Sequence, residues 1–287
     1  MIYRSLGKHG PVVSLIGYGG WALGEEGWPD VESREACRAL EKAFEQGITF
    51  YDTAPFYGRG LSETRIGEIL HSVRSEIVIG TKCGIHWDDH RIWLSLARDD
   101  ILREVEASLK RLRTDTIDLY QVHWYDHKTP LREVFSTLHE LKKQGVIRHI
   151  GVCNMSVEFI QKARRWVEIT SVQSLYNILQ RDAETTLLPW CAEEHVGFIA
   201  YSVLAQGMLA NRFFSPHQKT KDVRKHNPLY KNPPASVPSL EEALKFVVRN
   251  PIVSCALVSM TKVHHVKQNC EIVEGLVYSE GLKSEER

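Results

Sequence analysis

The stretch ITFYDTAPFYGRGLSETRIGEIL, residues 48–70, decides the fold of this 287-residue chain. It opens with four β-favouring, mostly apolar residues and Asp52, continues through a glycine-containing turn, and takes on a helical pattern from Ser62, the expected N-cap. A strand that leads into a helix is half of a βαβ unit, because parallel strands need a crossover connection. The stretch therefore predicts a parallel α/β architecture.

The same unit recurs along the chain, as short apolar runs that alternate with segments of helical periodicity. Strands are expected at 14–19, 48–52, 76–82, 117–123, 146–154, 170–176, 197–202 and 252–259. Helices are expected at 33–47, 62–73, 99–115, 131–145, 156–167, through about 195, at 239–250 and at 262–273, with Ser33, Ser62 and Ser239 as N-caps. The nearly continuous apolar strands predict a sheet that is covered on both faces.

Eight such units predict a closed (β/α)8 TIM barrel, with residues 1–14 forming an N-terminal β-hairpin. No boundary between units resembles a domain linker, so a single domain over 1–287 is expected. A doubly wound open sheet is the alternative fold. The proline-rich segment 206–238 is expected to be a long functional loop.

The overall composition argues against several classes of function. The 36 basic and 36 acidic residues cancel without a long basic run, so nucleic acid and membrane surfaces are not expected partners. No apolar stretch is long enough to span a bilayer, and the first residues lack the apolar region of a signal peptide. The six cysteines are scattered without a C-x-x-C pair, which is typical of free thiols in a reducing cytosol. A cytoplasmic protein is therefore expected.

Four polar residues, Asp52, Tyr57, Lys82 and His123, lie at or just after the ends of three predicted strands. The carboxyl ends of neighbouring parallel strands meet at one face of the sheet, so these side chains are expected to converge. A phenol beside an amine, a carboxylate and an imidazole is suited to carbonyl reduction. The sequence therefore predicts an active site at this face.

Two other motifs suggest different sites. GYGGWA at 17–22 matches a dinucleotide-binding fingerprint, but that fingerprint must open a helix at once, and LGEEGWPD follows instead. HWDDH at 86–90 could supply metal ligands, yet no further ligand matches it elsewhere, so a solvated loop and no metal are expected. Neither motif changes the prediction of a barrel with its site at the strand ends.

The segment at 48–70 resembles the signature of the aldo-keto reductase family, through Asp52-Thr53-Ala54, Tyr57-Gly58, Ser62-Glu63 and Gly67. The resemblance extends over nearly the whole chain, through GTK at 80–82, DLYQVHW at 118–124, IRHIGVCN at 147–154, VQSLYN at 172–177 and AYSVLAQGML at 200–209. It implies a βα barrel with an N-terminal hairpin. It also implies metal-free, NAD(P)H-dependent reduction of aldehydes or ketones, or the reverse oxidation of a sugar or alcohol.

The expected chemistry assigns one task to each of the four residues. Tyr57 protonates the carbonyl oxygen when hydride reaches the carbon. Lys82 is expected to lower the pKa of that phenol, since an ammonium favours phenolate, while Asp52 holds Lys82 charged and aimed. His123 donates a hydrogen bond to the same oxygen and orients the carbonyl.

The resemblance also implies cofactor contacts. Asn154 and Gln173 are expected to bind the nicotinamide carboxamide, with Cys153 where a serine is more usual, and Tyr201 to stack on the ring. The remaining expected contacts, along the pyrophosphate and the adenosine, are Ser202, Leu204, Gln206, Met260, Thr261, Lys262, His265 and Asn269. Lys262 and His265 at the start of the last helix favour NADPH over NADH.

The expected substrate is a small aldehyde or a cyclic sugar, because several aromatic residues lie in loops at the same face. Trp21 and Trp124 match family positions that line the pocket, whereas Phe56, Trp87 and Tyr125 do not. A cofactor-bound regulatory or binding subunit without catalysis and a metal-dependent hydrolase are the rival functions. The oligomeric state is left open.

Overall fold

Eight parallel strands form a closed barrel, as the repeated βα unit predicts. The computed structural model describes residues 1–210, 221–280 and 284–285. In order around the barrel, the strands are β3 (Ile16–Gly19), β4 (Phe50–Asp52), β5 (Val78–Cys83), β8 (Ile117–Val122), β9 (Ile147–Cys153), β10 (Ser171–Leu175), β11 (Gly197–Tyr201) and β12 (Val253–Val258), which pairs with β3. The open-sheet alternative is therefore wrong.

Except for the one-turn helix Pro228–Lys231, which has no buried residue, the helices pack around the outside of the barrel. They are α1 (Ser33–Glu45), α2 (Leu61–Ile69), α3 (Arg98–Leu112), α4 (Leu131–Lys143), α5 (Val157–Ala163), α6 (Leu187–Glu194), α7 (Pro228–Lys231), α8 (Leu240–Arg249) and α9 (Val263–Glu280). In α8, for example, Ala243, Leu244, Val247 and Val248 are buried, at the spacing expected of a helix face.

The predicted helix starts are right in one case and wrong in two. Ser239 caps α8 in a reciprocal capping box with Glu242. At α1 the cap is Glu32, whose carboxylate accepts two backbone N–H bonds, so Ser33 is already helical. At α2 the cap is Gly60, because the Ser62 hydroxyl is turned inward to donate to the Gly20 carbonyl at 2.9 Å.

The predicted N-terminal hairpin is present, as β1 (Tyr3–Ser5) and β2 (Val12–Ser14). It covers the lower end of the barrel, where the strands begin. Leu6 and Val13 are buried against side chains from inside the barrel, including Phe50 and Leu119. Since these contacts are apolar and fully buried, the hairpin acts as a plug, and the upper end, where the strands finish, lies opposite to it.

Along the strands, the inward-facing side chains change from apolar to polar between one inward position and the next, two residues later. Side chains on a strand alternate between its faces, so Phe50 and Asp52, or Leu119 and Gln121, point to the same side. Phe50 and Leu119 belong to the apolar layer above the plug, whereas Asp52 and Gln121 share a hydrogen bond one layer higher. This polar layer forms the floor of the upper end.

Two segments differ from the sequence-based expectation. The stretch around HWDDH forms a second hairpin, β6 (Ile85–Trp87) and β7 (Ile92–Leu94), rather than a loop without regular structure. The predicted loop 206–238 contains short helical turns and α7, while its residues 211–220 lie outside the described residues. In the described parts of the chain, no helix combines the length and apolar character needed to cross a membrane.

Candidate active site

Asp52, Tyr57 and Lys82 form a contiguous hydrogen-bonded group at the upper end of the barrel. The Lys82 ammonium is fully buried and donates to Asp52 Oδ1 at 2.6 Å, to the Thr53 carbonyl at 2.8 Å and to the Tyr57 hydroxyl at 3.3 Å. The His123 ring stands edge-on to the Tyr57 ring, with centroids 5.9 Å apart. The four predicted residues thus converge.

The carboxylate of Asp52 is fully engaged. Its Oδ1 accepts from Lys82, and its Oδ2 accepts from Gln173 Nε2 at 2.7 Å and from Gln121 Nε2 at 3.1 Å. Three donors on one buried carboxylate hold it in a single orientation. Asp52 therefore fixes the position of the Lys82 ammonium beneath Tyr57.

The turn after β4 places Tyr57 over Lys82. Gly58 has φ 63°, and a Cβ there would lie 2.0 Å from the Gly24 carbonyl oxygen, so only glycine permits this close approach. The Thr53 hydroxyl donates to Ser62 Oγ at 2.8 Å and ties the strand end to α2. The signature residues therefore hold the turn against the barrel rim.

The Glu63 carboxylate of the same signature is buried and structural. It accepts from the Thr81 hydroxyl at 2.6 Å and from Arg111 Nε at 2.6 Å, which joins α2 to β5 and α3. Because Thr81 directly precedes Lys82, this network also anchors the strand that carries the lysine.

Burial dominates the acidity of Tyr57. It raises the pKa of the phenol to about 12, against the opposing effect of the Lys82 ammonium, and the Asp52 carboxylate raises it further. Lys82 therefore lowers the pKa of Tyr57 as expected, but burial outweighs this contribution. Tyr57 remains a protonated acid throughout the neutral range.

Their surroundings keep Lys82 positively charged and His123 neutral. Burial disfavours the ammonium, yet Asp52 and Tyr57 together raise the pKa of Lys82 above its ordinary value. Burial, assisted by the nearby Lys82 charge, lowers the pKa of His123 well below its ordinary value. The imidazole is therefore neutral at physiological pH and can donate one N–H bond without carrying charge.

A cleft of about 1130 Å³ lies above these residues and runs to the start of α9. All of the predicted site residues line it except Lys82 and Met260: Trp21, Asp52, Tyr57, His123, Trp124, Asn154, Gln173, Tyr201, Ser202, Leu204, Gln206, Thr261, Lys262, His265 and Asn269. Lys82 lies beneath the floor. Met260 is buried in the core, and its carbonyl accepts from the Tyr18 hydroxyl at 3.0 Å.

The residues expected to meet the nicotinamide already bond one another. The Tyr201 hydroxyl donates to Asn154 Oδ1 at 2.8 Å, and Asn154 Nδ2 donates to the His123 carbonyl at 3.3 Å. Gln173 donates to Asp52, as described above. The amides of Asn154 and Gln173 still border the cleft, so the same groups are available to a carboxamide once these bonds rearrange.

Left-handed backbone marks the segment that continues along the cleft. Asn154, Ser202 and Gln206 have φ of 55°, 57° and 57°. Such conformations in non-glycine residues are costly and concentrate at ligand sites. The surrounding bonds hold them: Asn177 Nδ2 donates to the Ser202 carbonyl at 3.0 Å, and the Tyr230 hydroxyl donates to the Gln206 carbonyl at 3.1 Å.

The segment 221–231 reaches across the cleft to the loop after β3. The Val223 N–H donates to the Gly27 carbonyl at 3.0 Å, and Arg224 Nη2 lies 3.1 Å from Asp30 Oδ2. Asp30 and Arg224 line the cleft together with Trp28. The sequence analysis missed these residues, because nothing in a polar loop sequence indicates which distant loop it will contact.

Aromatic side chains surround the Tyr57 end of the cleft. Trp21 stacks on Tyr57 with centroids 6.3 Å apart and meets the edge of Trp28 at 5.2 Å. Phe56 meets the edge of Trp87 at 6.0 Å. Trp124 is 45% exposed at the rim. Trp21 and Trp124 thus lie where the sequence analysis placed them, and Phe56 also lines the cleft.

Two residues of HWDDH contact their own hairpin and the residue after it. His86 Nε2 lies 3.1 Å from the Ser95 carbonyl oxygen, and its ring stacks on Trp93. The Asp88 carboxylate accepts from the backbone N–H groups of His90 and Arg91 and shapes the turn.

Comparison with known proteins places this arrangement in a family. The model of the aldo/keto reductase family matches residues 15–281. Aldo-keto reductase YhdN of Bacillus subtilis is 35% identical over 236 residues, 81% of this chain and 71% of that protein. NADH-specific methylglyoxal reductase of Escherichia coli is 36% identical over 220 residues, 71% of this chain and 68% of that protein.

Solved structures agree with the fold. Aldo-keto reductase AKR11C1 from Bacillus halodurans, in its holo form, superimposes with a TM-score of 0.80 at 29% identity, over 96% of this chain and 91% of that one. An aldo-keto reductase from Klebsiella pneumoniae in complex with NADPH gives 0.74 at 28% identity, over 96% and 90%. Together with the matched residues 15–281, these likenesses show that the chain belongs to the aldo/keto reductase family, whose members are NAD(P)H-dependent oxidoreductases.

Proposed function

We propose that this protein reduces an aldehyde or ketone with NADPH, with Tyr57 as the general acid. The observation that carries the proposal is the Lys82 ammonium, which bridges Asp52 and the Tyr57 hydroxyl directly below an open cleft. An ion pair between Lys82 and Asp52 that served stability alone would not need a further hydrogen bond from the lysine to a phenol at the cleft. The alcohol oxidation that reverses this reaction uses the same groups.

The cleft suits a dinucleotide by the chemistry of its lining. One end offers the amides of Asn154 and Gln173, and the other offers Thr261 and Lys262 at the start of α9. A helix start attracts phosphate through its unpaired N–H groups and its dipole. A nicotinamide bound at the Tyr57 end would supply the hydride.

The chain's own residues manage the proton. His123 is neutral, so it can donate an N–H bond that holds the carbonyl oxygen near Tyr57 without a competing charge. Tyr57 gives its proton to that oxygen, and its O–H bond breaks as the new O–H bond of the alcohol forms. Lys82 then faces a phenolate at the 3.3 Å contact and stabilises it. In the oxidation direction, the same phenolate removes the proton of the alcohol.

The preference for NADPH rests on the charges at the adenosine end. Lys262 and His265 line the cleft beside the start of α9, and Asn269, 3% exposed, follows on the same helix. A ribose phosphate carries charge that a lysine and a helix start would bind, whereas a plain ribose hydroxyl gains much less. Known relatives differ, since the NADH-specific methylglyoxal reductase of Escherichia coli and the Klebsiella pneumoniae aldo-keto reductase in complex with NADPH are both similar to this chain.

The activity is tested with a panel of aldehydes, ketones and α-dicarbonyls, followed by loss of absorbance at the nicotinamide band. Tyr57→Phe should lower kcat about 10²- to 10⁴-fold, the usual contribution of a general acid, while the Kd for NADPH stays within about twofold. A variant that reduces carbonyls at the wild-type rate would remove Tyr57 from this role. A wild-type protein that binds NADPH but consumes none would favour the non-catalytic binding subunit.

The cofactor preference is tested by binding alone. Lys262→Ala should raise the Kd for NADPH about tenfold, equivalent to about 1.4 kcal/mol, and leave the Kd for NADH nearly unchanged. Lys267→Ala, a lysine on the same helix that does not line the cleft, is the matched control. Equal losses for both cofactors would remove Lys262 from the phosphate site.

A further inference from the structure

Gln121 is a buried amide with two partners in the polar layer of the barrel. It lies beside Lys82 in the register of β5 and β8 and is fully buried. Its Nε2 donates to Asp52 Oδ2 at 3.1 Å, and its Oε1 accepts from the Cys153 thiol at 3.7 Å. The side chain thus connects Cys153 to the carboxylate that holds Lys82.

Cys153 supports the orientation in which the NH₂ end of the amide faces Asp52. An amide can present either NH₂ or oxygen to a neighbour, and only NH₂ stabilises a carboxylate. Burial raises the pKa of the Cys153 thiol, so the group stays protonated and donates to the amide oxygen. This bond leaves the NH₂ of Gln121 directed at Asp52.

The barrel leaves room for this side chain at one defined point. Gly151 is paired with Gln121 on the neighbouring strand β9, and a Cβ at Gly151 would lie 2.9 Å from Gln121 Cγ. That distance is shorter than real Cβ contacts allow. Because Gly151 has no side chain, β9 leaves the space that the Gln121 side chain occupies.

The charge of Asp52 acts on Tyr57. The carboxylate disfavours the phenolate, whereas the Lys82 ammonium favours it. A donor on Asp52 Oδ2 offsets part of the negative charge without touching Lys82. Gln173 also donates there, but it borders the cleft, whereas Gln121 is fully buried and does not line it.

We propose that Gln121, oriented by Cys153, is a positioning residue that partly neutralises Asp52 and so makes Tyr57 a stronger acid. The inference rests on the proposed role of Tyr57. Without the amide, the carboxylate presents more of its charge to the phenol, and the loss of the phenol proton to a carbonyl oxygen becomes less favourable. Tyr57 should then titrate at higher pH and transfer its proton more slowly.

The test follows Tyr57 itself by NMR of enzyme labelled with ¹³C at tyrosine Cζ, with the resonance assigned by its absence in Tyr57→Phe. In Gln121→Met, which keeps the volume and removes the donor, the alkaline onset of the Tyr57 titration, followed up to about pH 11, should move upward by about one pH unit. The kcat for carbonyl reduction should fall about three- to tenfold, with little change in the KM for the carbonyl. An unmoved or lowered titration would overturn the proposal.

Three further variants, Leu119→Met, Cys153→Ala and Cys153→Ser, keep the test decisive. Leu119→Met changes the next interior position down the same strand without altering a polar contact, so Tyr57 should titrate as in wild type; an equal displacement there would also overturn the proposal.

If Gln121→Met does not fold, Cys153→Ala frees the amide and should give a smaller upward displacement, which Cys153→Ser reverses. No displacement in Cys153→Ala would count against the proposal. Wild-type turnover in Tyr57→Phe would instead refute the proposed function alone.

Discussion

Lys82→Met should destabilise the protein as well as inactivate it, because it leaves the Asp52 carboxylate buried without its cation. The Lys82 side chain is fully buried, and its ammonium contacts three oxygens within 3.3 Å. Removing one partner of a buried pair costs about 3–5 kcal/mol. Since Gln121 and Gln173 still donate to Oδ2, the lower end applies, and we expect a loss of about 3 kcal/mol.

The measurement is urea unfolding at pH 7, followed by circular dichroism, for wild type, Lys82→Met, Asp52→Asn and the double variant. The raised pKa of Lys82 means that the contribution of the pair is present in full below the free-lysine value of about 10.4 and is lost only as pH rises through the folded value. For a chain of this length, about 3 kcal/mol corresponds to roughly 5 °C in Tm. The double variant should recover most of the lost stability but no activity, since the uncompensated charge is gone.

Either of two results would refute the reasoning. If Lys82→Met is as stable as wild type, the ammonium does not compensate a buried charge. If the double variant is no more stable than Lys82→Met, the loss comes from packing around the lysine stem, and the pair has no special energetic role.

Two further predictions concern His123 and the cap of α8. Because the pKa of His123 is lowered well below its ordinary value, kcat for carbonyl reduction should show no histidine limb between about pH 5.5 and 8; a limb near pH 6.5 that disappears in His123→Asn would contradict this. Ser239→Ala should cost about 1 kcal/mol in urea unfolding, since it removes a reciprocal capping box. Ser156→Ala, at a cap without a side-chain bond, is the matched control, and equal losses would discount the box.

The barrel and the convergence of the four polar residues could be predicted from the sequence because both follow from local periodicity. Apolar runs locate the strands, and parallel strands bring their carboxyl ends together whatever the loops do. The convergence of Asp52, Lys82 and His123 could therefore be predicted from their positions at strand ends alone. For Tyr57, the short turn that Gly58 permits was also required.

Other features depend on contacts between distant parts of the chain. Ser62 has the sequence of a cap, but its hydroxyl finds the Gly20 carbonyl instead. The acidity of Tyr57 could not be predicted in direction, because the depth of burial outweighs the charge next to it. The β6–β7 hairpin was missed because Ile92, Trp93 and Leu94 are exposed without the alternation of a half-buried strand. Gln121 could have been found, since it lies two residues before His123 on the inward side of its strand.

The N-terminal hairpin has a consequence for proton traffic. Leu6 and Val13 fill the lower end of the barrel with apolar side chains, so among the described residues an apolar layer lies between that end and the polar layer of Asp52 and Gln121. Under the proposed function, the proton that Tyr57 gives away in one turnover would then return through the cleft that admits the substrate. Reprotonation of the phenolate and release of the alcohol would share this one opening.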